Sequence, residues 1–178
     1  MKVILISGKA RHGKDTLATM LQVKLADRGK RAKITHFGDL LKYVCKEFFD
    51  WDGNKDEAGR SLLQYVGTDL IRKKDPNFWC RFIYEMCQYT DKYDYMIVAD
   101  TRFMSEINQF PEACKIRIGR IFKPYELYEL NNAQSRHRSE TELDNYNRWD
   151  YHIVVESDDL EYIYRKASEI VKEIEGDK

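Results

Sequence analysis

Short runs of branched apolar residues alternate along the chain with stretches whose apolar positions recur every three or four residues, the pattern of strands alternating with amphipathic helices. Val3 to Ile6 is an unbroken apolar run closed by Ser-Gly and predicts a buried strand of a parallel sheet. From Lys14, the residues Leu17, Met20, Leu21 and Leu25 keep helical spacing until Gly29, which suits a helix end. Arg31 to Phe37 predicts a second strand, and Leu40, Leu41, Val44, Cys45 and Phe48 a second helix. Phe49 to Gly59 is polar and turn-rich and predicts a surface loop before a helix over Arg60 to Lys73. Asp75-Pro76 opens another helix carrying Phe78, Trp79, Phe82, Ile83 and Met86. Strands follow at Tyr95 to Ala99, ending in Asp100, at Lys115 to Ile121 and at Tyr151 to Val155, and Leu160 to Ile174 predicts a charged amphipathic helix.

This alternation implies an α/β, doubly wound parallel sheet with helices on both faces and ligands beyond the carboxyl ends of the strands, where Gly8, Asp39 and Asp100 fall. Phe122 to Tyr146 is long, polar and rich in Asn, Arg and Glu, as a lid would be. One domain is expected from 178 residues with 43% hydrophobic content. Thirty basic residues balance thirty acidic ones, which gives no broad electrostatic case for a nucleic-acid or membrane partner. Cys45, Cys80, Cys87 and Cys114 form no metal or redox motif, and no apolar run approaches the roughly 20 residues of a membrane span. A cytoplasmic location with reduced thiols is expected. A monomer and a homodimer both remain open.

The candidate chemistry begins at Gly8-Lys9-Ala10-Arg11-His12-Gly13-Lys14-Asp15-Thr16, which spaces glycine, four residues, glycine and lysine between a strand and a helix. Such a loop wraps backbone amides around a polyphosphate, Lys14 neutralises the β- and γ-phosphates, and the helix N-terminus adds its dipole. Asp15 stands where a Ser or Thr usually binds magnesium. A carboxylate beside phosphates repels them unless a cation lies between, so Asp15 is read as a magnesium partner. Asp100 and Arg102, two apart after an apolar strand, are read as a second magnesium-linked carboxylate and a phosphate-binding guanidinium. Lid arginines Arg120, Arg136 and Arg138 can meet charge developing on a transferred phosphoryl group. His137 is given an orienting role, His12 is read as an exposed loop residue, and His36 and His152 as structural histidines in strands.

Phe37-Gly38-Asp39-Leu40-Leu41-Lys42, the run Arg60-x-x-x-Gln64-x-x-Gly67-Thr68-Asp69-x-x-Arg72, Asp75 to Trp79, Asp100-Thr101-Arg102-x-x-x-Glu106 and His137-Arg138-Ser139-Glu140 follow in order. Together with the Gly-Lys-Asp-Thr loop ending they resemble the phage-type deoxynucleoside monophosphate kinases, and the phosphomevalonate kinases share the Gly-Lys-Asp ending. The resemblance implies a five-stranded nucleoside monophosphate kinase fold with an acceptor-binding helical region over about 38–92 and a lid over about 120–146. It implies ATP and a nucleoside monophosphate as partners, with Mg2+ as cofactor. Asp39, Lys42, Arg60, Gln64, Arg72 and Trp79 would line the acceptor's side, and Thr68 shares a helix face with Arg60 and Gln64. Arg60 and Arg72 can equally be solvated helix charges, and Trp79 plain core. Phosphomevalonate or a coenzyme A precursor as acceptor, and an ATP-binding sensor or assembly subunit without turnover, are the competing readings.

Overall fold

The computed structural model describes residues 1–122, 136–157 and 159–176. Five strands form one sheet: β1 Lys2–Ser7, β2 Ala32–Thr35, β3 Tyr95–Thr101, β4 Cys114–Ile121 and β5 Tyr151–Glu156. Their order is β2-β3-β1-β4-β5 and every neighbouring pair is parallel. β1 sits at the centre with Ile4 opposite Ile97 of β3 on one side and Ser7 opposite Arg117 of β4 on the other. The chain leaves β1 between strands on either side, so a crevice opens beyond its carboxyl end.

Helices cover both faces because the central strands β1 and β3 are buried on both. On one face α1 (Lys14–Ala26) and the last helix (Leu160–Glu175) bury Leu17, Leu21, Leu25, Ile163 and Ile170 against Ile4, Ile6 and Ile97. On the other, Cys80, Ile83 and Cys87 of a helix over Phe78–Tyr89 pack on Leu5, Met96 and Val98. A third cluster lies off the sheet, where Cys45, Trp51 and Val66 join α2 (Gly38–Phe48) to α3 (Glu57–Gln64) and the segment after it. With Phe78–Tyr89 as α4, the chain adds α5 (Met104–Gln109), a short α6 (Arg138–Thr141) and α7 (Leu160–Glu175).

Three differences from the pattern-based expectation matter. The helix expected over Arg60 to Lys73 is α3 followed by a π-helical segment, Tyr65–Arg72, whose wider turn changes which side chains share a face. β2 stops at Thr35, so His36 and Phe37 leave the sheet instead of extending it. Met104–Gln109 is a helix that apolar periodicity did not predict; Glu106 starts it by accepting the Phe103 backbone N–H at 3.0 Å. Of the expected lid, residues 123–135 lie outside the described residues.

Candidate functional site

The loop after β1 is shaped by its glycines. A Cβ on Gly8 would stand 2.4 Å from the Ile118 carbonyl oxygen of β4, and Gly13, at φ 85°, enters α1 from the left-handed region. Arg11 is also left-handed, at φ 63°. No side chain caps α1, which leaves its first backbone N–H groups open to an anion. Lys14 Nζ donates to the Lys9 carbonyl oxygen at 2.8 Å. Burial, then the nearby Arg102 charge, lowers the Lys14 ammonium from its ordinary 10.5 to about 8.

Beyond this loop lies a cavity of about 510 Å³. Of the loop, Ala10, Arg11, Lys14 and Asp15 line it, whereas Gly8, Lys9, His12, Gly13 and Thr16 do not. Facing them across the cavity are Lys42, Arg60, Gln64, Thr68 and Arg72. Asp100 and Arg102, with Ser139 and Glu140, complete the lining where β3 ends. Leu41, Leu63 and Phe103 add apolar surface. A second cavity, about 690 Å³ around Tyr95 and Cys114, opens at the opposite end of the strands, away from the glycine loop.

Two buried polar atoms of the lining, Arg72 Nε and Glu140 Oε2, have no hydrogen-bond partner among the described residues. Such atoms are rare in a folded interior. Arg60 and Lys55 line the same space and make no ion pair among the described residues, although the Lys55 charge is near enough to act on Asp15. The rest of Arg72 is committed: it pairs with Glu106 at 2.9 Å, donates to Ser105 Oγ at 3.3 Å and lies 3.7 Å over the Phe103 ring. Burial pushes the Glu106 carboxyl up to about 7 against the pull of Arg72.

Asp100 accepts Phe37 N–H at 2.7 Å and Gly38 N–H at 2.9 Å, so it caps the start of α2 from across the sheet edge. Each of its oxygens keeps a lone pair. Asp39 does not line the cavity; it accepts from Lys42 Nζ at 2.7 Å and so holds the residue that does. Trp79 belongs to the cavity lining, yet it is 1% exposed and its indole N–H is committed to the Gly67 carbonyl oxygen at 3.0 Å, so it is at once core packing and part of the wall. Arg102 pairs with Glu140 and donates to the Ser139 carbonyl oxygen at 3.1 Å.

The lid arginines point elsewhere. Arg120 donates through Nε to Ser157 Oγ at 3.0 Å and lies 5.1 Å from the Phe122 ring. Arg138 pairs with Glu142, Arg136 is exposed, and none of the three lines the cavity. His137 Nδ1 accepts from Ser139 N–H at 3.2 Å and caps α6, which is an orienting task. Two histidines differ from expectation. His12 is half-buried: its Nδ1 accepts from Arg120 N–H at 3.0 Å and its ring meets Phe122 edge-on at 5.4 Å. His36 lies past the end of β2 and lines the cavity, with Nε2 2.8 Å from Asp15 Oδ1 and Nδ1 3.3 Å from Asp39 Oδ2. The Asp15 bond raises the His36 ring above 6.5, and the same bond lowers Asp15.

For a metal, Asp15 and Asp100 supply hard oxygen donors on the cavity wall. No group of three His, Cys, Asp or Glu among the described residues makes a preformed cage. That donor set fits magnesium, which takes one or two carboxylates and completes its shell with phosphate oxygens and water. No helix among the described residues is long and apolar enough to cross a membrane.

The model of the phosphomevalonate kinase family matches residues 6–116, from β1 into β4 and therefore across both walls of the cavity. The phosphomevalonate kinase of Drosophila melanogaster is 30% identical to the chain over 120 residues, which are 63% of this chain. The match spans 61% of the fly protein's length.

Proposed function

The chain belongs to the phosphomevalonate kinase family, and from that premise we propose that it transfers the γ-phosphoryl group of ATP to the phosphate of phosphomevalonate. The observation that carries this reading is the cavity in which a lysine-bearing glycine loop meets Arg60 and Lys55, cations that make no ion pair among the described residues. Phosphomevalonate has a phosphate at one end and a carboxylate at the other, so it presents anions to both the transfer centre and a basic rim.

Lys14 and the open amides of α1 hold the β- and γ-phosphates, and Arg102, with the unpartnered Nε of Arg72, takes the acceptor phosphate. Glu140 gives up Arg102 when that phosphate arrives. One acceptor phosphate oxygen attacks in line; the bond from the γ-phosphorus to the bridging oxygen breaks and ADP leaves. The attacking oxygen is already anionic, so no base is needed. Asp15 and Asp100 would hold magnesium, which would supply charge neutralisation to the nucleotide's phosphates. Arg120, His12 and Phe122 gather beside the loop, away from the acceptor wall, a placement suited to the nucleotide's base side rather than to the phosphoryl in flight.

A second reading makes the acceptor a nucleoside monophosphate, as the ordered motifs suggest. It is favoured by Gln64 and Thr68 standing beside Leu41, Leu63 and Phe103, polar readers next to apolar surface for a flat ring. ADP release from MgATP, measured with phosphomevalonate and with each ribo- and deoxynucleoside monophosphate, separates the two. Turnover with phosphomevalonate is the expected result. Turnover confined to nucleotides transfers the assignment to the second reading, and ADP release independent of any acceptor removes both.

A further inference from the structure

His36 stands between the two walls of the cavity. Its Nε2 is 2.8 Å from Asp15 Oδ1 on the glycine-loop side, and its Nδ1 is 3.3 Å from Asp39 Oδ2 on α2. The Asp39 carboxylate is fixed independently, by the His36 backbone N–H at 3.1 Å and Lys42 Nζ at 2.7 Å. Asp15 has no such support: among the described residues its carboxylate hydrogen-bonds to the His36 side chain alone, and its side chain is 79% exposed. An exposed carboxylate on a helix's first turn samples several rotamers, and a single directed bond from a half-buried ring selects one.

We infer that His36 is a positioning residue that holds the Asp15 carboxylate where it takes its share of a divalent cation bound with the nucleotide. The inference rests on the ATP-and-metal half of the proposed function and is independent of the acceptor. Groups that orient a metal-binding carboxylate or imidazole through a hydrogen bond commonly change metal affinity about 10- to 100-fold when removed. Because Asp15 is exposed and the nucleotide phosphates supply other donors, the lower end of that range applies.

The test is Mn2+ binding to the protein–ADP complex, read from the electron paramagnetic resonance signal of free Mn2+, with ADP affinity measured separately without metal. Gln places its amide nitrogen near the position of Nε2 and Asn near that of Nδ1, so the two substitutions divide the contacts of His36. His36→Asn and His36→Ala are expected to weaken Mn2+ binding roughly 10-fold and leave metal-free ADP affinity unchanged. His36→Gln restores most of the loss. In an Asp15→Asn background, His36→Asn has no further effect, because the residue acts through Asp15. Equal Mn2+ affinity in wild type, H36N and H36A overturns the inference, as does a loss that Gln fails to restore or that persists undiminished in D15N. A wild-type ADP complex that takes up no Mn2+ overturns the ATP-and-metal reading and this inference with it.

Discussion

Lys14 shows how burial and function oppose each other at one residue. Its ammonium is held at about 8 by burial, yet a polyphosphate needs it charged. ATP affinity is therefore expected to be flat at neutral pH and to fall as the pH rises through about 8, approaching a tenfold loss one unit above the pKa. Arginine stays charged throughout this range, so Lys14→Arg removes the break. Calorimetric titration with a non-hydrolysable ATP analogue measures this, and a wild-type affinity that is level through the same range would falsify it. The stability sign is the reverse. The folded pKa lies below the unfolded value, so Lys14 costs stability below about 8 and the cost is relieved as pH rises toward 10.5. Among residues, the glycines, Lys14 and Asp100 were legible in the sequence because loop spacing and a strand end fix where they lie. His36 was not, because its partners are 21 residues before it and 3 after it, and no local spacing joins them.

At the scale of elements, the acceptor wall depends on a loop that packs like a core. Trp51 Nε1 donates to the Asn54 carbonyl oxygen at 2.9 Å, Asp56 accepts Gly59 N–H at 2.8 Å, and α3 starts there with Arg60 next in line. A Cβ at Gly59 would lie 2.0 Å from the Asn54 oxygen and 2.8 Å from Trp51 Nε1, and backbone cannot swing aside as a side-chain tip can. Gly59→Ala is expected to cost about 1–3 kcal/mol by thermal unfolding and to raise the acceptor KM while the ATP KM holds. A parallel rise in both would show that the loop does not serve the acceptor wall alone. The π-helical segment carries the same lesson. Sequence spacing predicted one continuous α-helix over Arg60 to Lys73, but the lock of Trp79 on the Gly67 carbonyl oxygen and the Arg72–Glu106 pair are made across the fold, so no helix-periodic reading contains them.

For the molecule as a whole, β1 is the element on which both faces depend. Ile6 packs under α1 and α7, and Leu5 under α4, each fully buried. Ile6→Ala and Leu5→Ala are each expected to cost about 2–5 kcal/mol in a single urea transition, since one strand couples both layers. Two resolved transitions, or a loss near zero for either variant, would contradict that coupling.

Hydrophobic periodicity determined the alternation of strands and helices, because each element's pattern is local; the parallel sheet follows from it because strands joined by helices pair parallel, which sets the glycine loop at the carboxyl edge. Motif order pointed to a small-molecule kinase, yet toward nucleotide acceptors, whereas the family match names phosphomevalonate. Acceptor choice depends on which side chains several distant helices turn into one cavity, and a motif records their order without their facing. Only the tertiary structure drew His36 to Asp15, turned Arg120 toward Ser157 and buried Trp79, since each was decided by packing between segments whose separation along the chain carries no local signal.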